Sequence, residues 1–339
     1  MHIPDGYLSP TTAAVAYGMA MPFWYQASRR VKEALRSQSA PLIALFAAFS
    51  FTVQMLNIPI PGGTTAHAVG GTLMAIVLGP WAAVVGVSTA LIIQALFFGD
   101  GGITAIGANC FNMAIALPLT GYAVYRLVAG GAPSPRRRIV AAVIGSYVGI
   151  NVAALLTGIE LGLQPLLWSE GGRALYNPYG LGVTVPAMML VHLTLAGFAE
   201  AALTGLAVAY LLRAQPALLK GVGAQSGLRQ MGKSGWTLVG LLGVLVVLTP
   251  LGLLAPGGAD FEWGAEELQG MVGYIPSGLS RLQSLWPMAP MPGYQLPGGY
   301  GEASFWQQAP AYLLSAVLGV GLIFALFLAA RIALARRAS

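Results

Sequence analysis

Apolar runs rich in Leu, Val, Ala and Gly, each about 18 to 25 residues long, recur through the chain and set its first constraint. A segment of that kind spans a membrane, and in lipid only a helix or a closed barrel satisfies its own backbone. The runs lack the period-2 alternation of a barrel strand, so they read as helices. The expected class is all-α, a polytopic membrane helical bundle. Composition agrees, with charged residues at 8% of 339 against about 25% in a soluble domain.

Spans are expected near 8–27, 41–58, 67–79, 81–98, 107–126, 139–161, 184–212, 236–254 and 310–331. Seven of them form a core, and two more flank a long outer loop. The third is short and follows PIPGGTTAH, which suits a partial helix capped by a loop lying inside the bundle. Lys and Arg appear only after the first apolar run, so a cleaved leader is not expected. Met1 is therefore expected to remain in front of the bulky His2.

The formal charge of +6 is informative through its placement rather than its sum. Segments 28–40, 126–138 and 213–235, with the C-terminal end from Arg331, hold 15 of the 17 basic residues. These are Arg29, Arg30, Lys32, Arg36, Arg126, Arg136, Arg137, Arg138, Arg213, Lys220, Arg229, Lys233, Arg331, Arg336 and Arg337, leaving Arg173 and Arg281 on the other side. The positive-inside rule then puts the N-terminus outside and the C-terminus in the cytoplasm. This sorting accounts for the basic balance without a nucleic-acid partner.

Residues 1–213 read as one unit, 214–235 as a polar cytoplasmic linker, and 236–339 as a second module with two spans around an outer loop at 255–309. The loop is rich in Pro, Gly and Trp and carries Asp260, Glu262, Glu266, Glu267 and Glu302; its length points to loading or docking, or to a solvated connection. The lone Cys110 has no intramolecular partner and is expected to pack as a small apolar residue. Met288 and Met291 offer a soft-metal pair or, more simply, packing.

The N-terminus carries the chemistry. An unblocked Met1 amine, the His2 amide nitrogen and the His2 Nδ1 can close two fused chelate rings around one ion, and planar nitrogen ligation suits Ni(II) or Cu(II) better than tetrahedral Zn(II). A histidine in second place leaves the fourth position to another part of the fold. Pro4, Asp5 and Gly6 suit a type I turn that folds the tail back over the bundle. His67, at the predicted start of the short span, is an ionisable group at membrane depth and hence a candidate fourth ligand. The competing readings are an exposed terminal residue for His2 and a core imidazole for His67.

MHIPDGYLSP, PGGTTAHAVGG, GANCFNMA and HLTLAGFAEAALTG together resemble the NikM/CbiM family over residues 1–213, the substrate-binding (S) components of energy-coupling-factor transporters for nickel and cobalt. The resemblance implies a metal site at Met1, His2 and His67, with Ni(II) as transported substrate and Co(II) as the alternative. It implies a transmembrane coupling (T) component and two ATP-binding-cassette ATPase subunits as partners, in a prokaryotic cytoplasmic membrane. The tail resembles a NikN/CbiN-type, or PDGLE-type, accessory module through LGLLAPGGADFEWGAEEL and GYIPSGL, although the PDGLE match itself is poor.

Among the polar residues within the spans, Asn57, Asn109, Gln94 and His192 are candidates for holding the tail and His67; depth favours Asn109 and Asn57 over Asn112, the sequence does not decide for Gln54 and Gln94, and ordinary interhelical hydrogen bonding competes for each of them. His192 and Glu200 share a helical face roughly 12 Å apart, too far to pair. Glu200, with Thr204 a turn later, faces a partner subunit or a polar network. Ala- and Gly-rich faces at 139–154 and 196–209 serve a membrane partner or internal packing.

No GxxxxGK[ST] loop and no HExxH occur, so ATP hydrolysis and zinc proteolysis are not expected of this chain. The reading is a transport subunit rather than an enzyme, without an organic cofactor. A vitamin-binding S component and a membrane metal sensor are the alternatives.

Overall fold

The computed structural model describes residues 1–36, 39–60, 64–220, 233–254, 265–283, 285–296 and 304–336. Asp260, Glu262, Glu302, Arg229, Arg337 and most of the 214–235 linker lie outside the described residues, as does the side chain of Glu266.

Helices form at every expected span. Helix α1 (Pro10–Arg36) opens with Pro at its first position, and Ser9 caps it, its hydroxyl accepting from Thr12 N at 3.0 Å. Helix α2 (Ala40–Gln54) is followed by a hairpin of β1 (Ile58–Ile60) and β2 (Thr64–Ala66), paired Ile58 to Ala66. Helix α3 (Gly71–Leu78) then crosses only about 12 Å before Gly79 breaks it. Helix α4 (Pro80–Ile93) continues into a π-turn at Gln94–Phe98. Helix α5 (Ile106–Asn109) runs through a π-segment at Cys110–Ala116 into α6 (Leu117–Ala129).

Helix α7 (Pro135–Gly162) leads through α8 (Gln164–Leu167) and the two-residue strands β3 (Ser169–Glu170) and β4 (Arg173–Ala174) to α9 (Leu181–Val191). A third π-turn, His192–Ala196, joins α9 to α10 (Gly197–Ala214). The segment expected to form a second module contains α11 (Lys233–Leu248), α12 (Ala265–Val272), α13 (Ser277–Leu282) and α14 (Phe305–Arg336). Among the described residues, five helices are long and apolar enough to cross a membrane: Pro80–Phe98, Pro135–Leu167, Leu181–Ala214, Gly235–Leu254 and Phe305–Arg336. The protein is an all-α, multi-pass membrane bundle.

Several boundaries differ from expectation, and three of them bear on the site and its neighbours. Helix α1 extends to Arg36 instead of ending near 27. Helix α2 stops at Gln54 rather than 58, because Ile58 and Ile60 each precede a proline, which drives them to extended backbone. The short helix starts at Gly71, so His67 lies in the loop before it rather than in its first turn.

The small-residue faces are internal. Gly145 and Gly149 of α7 press on Gly121 and Leu117 of α6 with no room for a Cβ, while Gly197 and Gly205 of α10 meet Tyr147, Asn151 and Val143 of α7. Leu190, Leu195, Phe198 and Leu206 face outward from the continuous helix of α9 and α10, as lipid-facing residues do. Cys110 is buried, as expected. Met288 is exposed, while Met291 is buried against Ser315 and serves packing.

Candidate metal centre

The N-terminal tail enters the bundle instead of lying on it: Met1 and Ile3 are fully buried and His2 is 2% exposed. Three elements hold it there. Asn109 accepts from Ile3 N at 2.8 Å and donates to Ile3 O at 3.1 Å, gripping both sides of that residue, and Gly102 N adds a second donor to Ile3 O at 2.9 Å. Asp5 accepts from Ile103 N at 3.0 Å and Thr104 N at 2.8 Å, so the turn residue of the sequence also caps the opposing loop. Ile3, Tyr7 and Leu8 then pack with Leu161 of α7 and with Leu268 and Leu279 of the second module.

The close approach depends on glycine. Gly101 has φ +82°, and a Cβ there would sit 3.4 Å from the His2 Cβ. At Gly102 a Cβ would strike Asp5.

His2 is fixed at both ring nitrogens. Nε2 lies 3.2 Å from Gln54 Oε1, whose amide is oriented by donating to Ser50 O and Ser50 Oγ at 3.1 and 3.0 Å. Nδ1 lies 2.6 Å from Asp100 Oδ1. The Tyr294 hydroxyl donates to the second oxygen of Asp100, and Gln94 Nε2 reaches the same oxygen at 3.3 Å. Burial alone raises the Asp100 pKa, but the His2 ring and the Tyr294 hydroxyl outweigh it and hold the carboxyl below its ordinary value. Burial, then the Asp100 charge, push the Tyr294 phenol well above its usual range.

His67 is fully buried, and its ring centroid is 4.7 Å from that of His2, with the rings tilted by 33°. Its Nδ1 is 3.2 Å from Ala68 O, so the ring donates there and keeps a lone pair on Nε2. Nε2 is buried with no hydrogen-bond partner among the described residues. One ring nitrogen is thus tied to a carbonyl and the other left bare, a pattern that a ligating imidazole shares.

The loop carrying His67 is pinned two residues on. Glu200 of α10 is buried and accepts from Val69 N at 2.8 Å and Gly70 N at 2.9 Å, while Ser50 Oγ donates to Val69 O at 2.7 Å. Glu200 thus belongs to an internal polar network, one of the two roles open to it in the sequence. His192, one face along, donates from Nδ1 to Met188 O at 2.7 Å and leaves a buried Nε2, unpartnered among the described residues, within electrostatic range of the Met1 amine and His67.

Of the candidate supports, Asn109 grips the tail directly, Gln94 reaches it through Asp100, and His192 stands beside it. Asn57 is buried at the start of the hairpin with its side-chain oxygen unpartnered among the described residues. Asn112 turns away to Thr157 and Glu160. Sequence reasoning missed Asp100 and Tyr294 and left Gln54 undecided. The available signal for Asp100 was its isolation, since it is the single acid between Glu33 and Glu160. All three π-segments adjoin this site and carry Gln94, Asn112 and His192, in keeping with the tendency of such bulges to mark functional regions.

Among the described residues no three His, Cys, Asp or Glu side chains gather as one metal cluster. An ion held here would draw on main-chain nitrogen as well as imidazole. Fold and site together define a class: a polytopic helical membrane protein whose buried N-terminus meets a second imidazole inside the bundle. Residues 2–218 match the family model for CbiM, the cobalt uptake substrate-specific transmembrane region, and the chain belongs to that family.

Its relatives carry metal-transport names. It is 49% identical to the fused nickel transport protein NikMN of Rhodobacter capsulatus, over 96% of this chain and 95% of that protein. It is 33% identical to the cobalt transport protein CbiM of Geobacter sulfurreducens, over 79% of this chain and 75% of that protein. A crystal structure of a transition metal transporter aligns with a TM-score of 0.60 at 52% identity, covering 63% of this chain and 93% of the other. The chain is thus a metal-transport protein by family.

Proposed function

We propose that this protein is the metal-capturing S component of an energy-coupling-factor transporter, with Ni(II) as its substrate. The observation that carries the reading is the bare, buried Nε2 of His67 beside the ring of His2 at the chain terminus. In this reading the Met1 amine, the His2 amide nitrogen and the His2 Nδ1 chelate the ion, and His67 Nε2 closes the plane. The His2 amide must lose its proton to ligate, and planar nitrogen coordination suits a metal that accepts such a field. Nickel is favoured over cobalt by that geometry and by the fused-module relatives named for nickel. Cobalt, named in the family description, is the alternative substrate.

The ion enters from the outer side, where the tail sits, and leaves on the side rich in Arg and Lys. Export of the bound ion to the cytoplasm requires a transmembrane coupling component and two ATPase subunits, since this chain carries no nucleotide-binding loop. It acts without an organic cofactor. A vitamin-binding role has less support, because it does not account for an imidazole pair at the chain terminus; a membrane metal sensor would use the same pair and is separated by uptake.

The test is Ni(II) binding by the purified protein with its native terminus, then with one alanine inserted between Met1 and His2, and then with His67→Ala. Both changes are expected to abolish tight binding. Unchanged affinity in the two variants would overturn the site, and Ni(II) uptake by cells that is independent of this chain would overturn the transport role.

A further inference from the structure

The second module does more than neighbour the core; it reaches the N-terminal imidazole through a single hydroxyl. Trp286 Nε1 donates to Leu96 O at 3.0 Å and Met291 N to Phe97 O at 3.0 Å, so the module's outer segment is docked on the π-turn that ends α4. That docking delivers Tyr294, fully enclosed, with its ring stacked on Phe98 at 4.9 Å and edge-on to Tyr312 at 5.2 Å. Ser315 Oγ of α14 donates to Tyr294 O at 3.0 Å.

Tyr294 stands at φ +61°, in the left-handed region that a bulky residue rarely enters. Such a conformation persists where the surroundings over-determine it. Here the outcome is a phenol hydroxyl directed at one carboxylate oxygen of Asp100, with Gln94 Nε2 donating to the phenol oxygen at 3.2 Å. The other carboxylate oxygen is the one 2.6 Å from His2 Nδ1.

We infer that Tyr294 is a positioning residue for metal capture, acting through Asp100 on the His2 nitrogen that the chelate requires. The inference rests on the proposed site. Asp100 occupies the direction from which an ion must reach Nδ1. An incoming divalent cation therefore takes the place of the proton between Nδ1 and Asp100. That proton leaves to bulk water as the nitrogen's lone pair turns to the ion, and Asp100, anchored by Tyr294, stays beside the cation as a compensating charge. Without the anchor the carboxylate can swing out of line, and capture slows while the final nitrogen plane is unaltered.

The test uses the full chain with its native terminus and Ni(II) alone as probe, following the visible absorption of the planar complex by rapid mixing. Tyr294→Phe keeps the stack on Phe98 and removes only the hydroxyl. Its association rate is expected to fall about tenfold, the scale of losing one hydrogen bond to a charged group, with the absorption spectrum at equilibrium unchanged. Asp100→Asn is expected to slow association at least as much. Combining the two is expected to slow it no further than Asp100→Asn alone, because both act through one carboxylate.

Wild-type association in Tyr294→Phe, or additive effects in the double variant, would overturn the inference. So would a changed spectrum in Tyr294→Phe, which would mark a distorted site rather than a slower capture. Failure of the wild-type protein to bind Ni(II) would instead remove the proposed function on which the inference depends.

Discussion

The two arms of the site are secured in opposite ways. The arm bearing His2 is tied at many points: Asn109 and Gly102 on Ile3, Asp5 on the 103–104 loop, Gln54 and Asp100 on the ring, and an apolar cluster behind. The arm bearing His67 is a loop whose next residues hang chiefly on one carboxylate, Glu200, with Ser50 as a lesser tie. An N-terminus starts with maximal freedom, so pre-organising it takes many small contacts. A loop leading into a helix needs only its exposed N–H groups satisfied, and one buried acid does that. The tail should therefore tolerate single losses, and the loop should not.

The largest effect expected is from removing a ligand. His67→Ala should lower Ni(II) affinity by more than the roughly 10- to 100-fold typical of losing a supporting contact, read by competition with a chelator of known strength. An N-terminal tag should be as damaging, because it blocks the Met1 amine.

Glu200→Leu comes next. It strips the acceptor from two buried N–H groups, each costing about 1–3 kcal/mol when left unpaired. Affinity should drop roughly 10- to 100-fold although Glu200 touches no ion, and thermal unfolding should occur at lower temperature. Glu200→Gln retains a side-chain oxygen that both N–H groups can share, so its loss should be clearly smaller. If Glu200→Leu binds Ni(II) like wild type, the loop is held by something other than this acid and the contrast between the arms collapses.

These expectations also show which parts of the molecule were legible in its sequence. The apolar runs determined the fold class, because burial in lipid leaves the backbone few options. Met1, His2 and His67 stood out because imidazoles are scarce here and a second-position histidine has a definite chelating geometry. Asn109 was legible through its depth. Asp100 and Tyr294 were not, since their contact joins residues 194 apart in the chain, and nothing in FFGDGG or MPGYQLP signals the other. Glu200 could be flagged as an intramembrane acid, yet its partners Val69 and Gly70 are backbone groups with no side-chain signature. The end of α2 was misjudged for a local reason that the prolines at 59 and 61 do record.

On the tail arm the expected effects are smaller. Asn109→Ala removes both of its bonds to Ile3 but leaves Gly102 N on Ile3 O, so a loss of about tenfold or less in affinity is expected, the cost of one unpaired donor. An effect as large as that of Glu200→Leu would mean that the tail, too, hangs on a single point.

Asp5→Asn should matter least. The carboxylate accepts from Ile103 N through one oxygen and from Thr104 N through the other, so an amide of the same shape keeps one acceptor and turns the other position into a donor facing an N–H. The expected cost is about 1–3 kcal/mol of local stability, read as faster amide hydrogen exchange at residues 103 and 104. Because Ile3 remains gripped by Asn109 and Gly102, His2 keeps its place and Ni(II) affinity should fall only a few-fold. Exchange that quickens at 103 and 104 without a matching loss of binding would establish that the ties on this arm act independently. A parallel collapse of both would show instead that the turn at Asp5 is the hinge on which the whole tail depends.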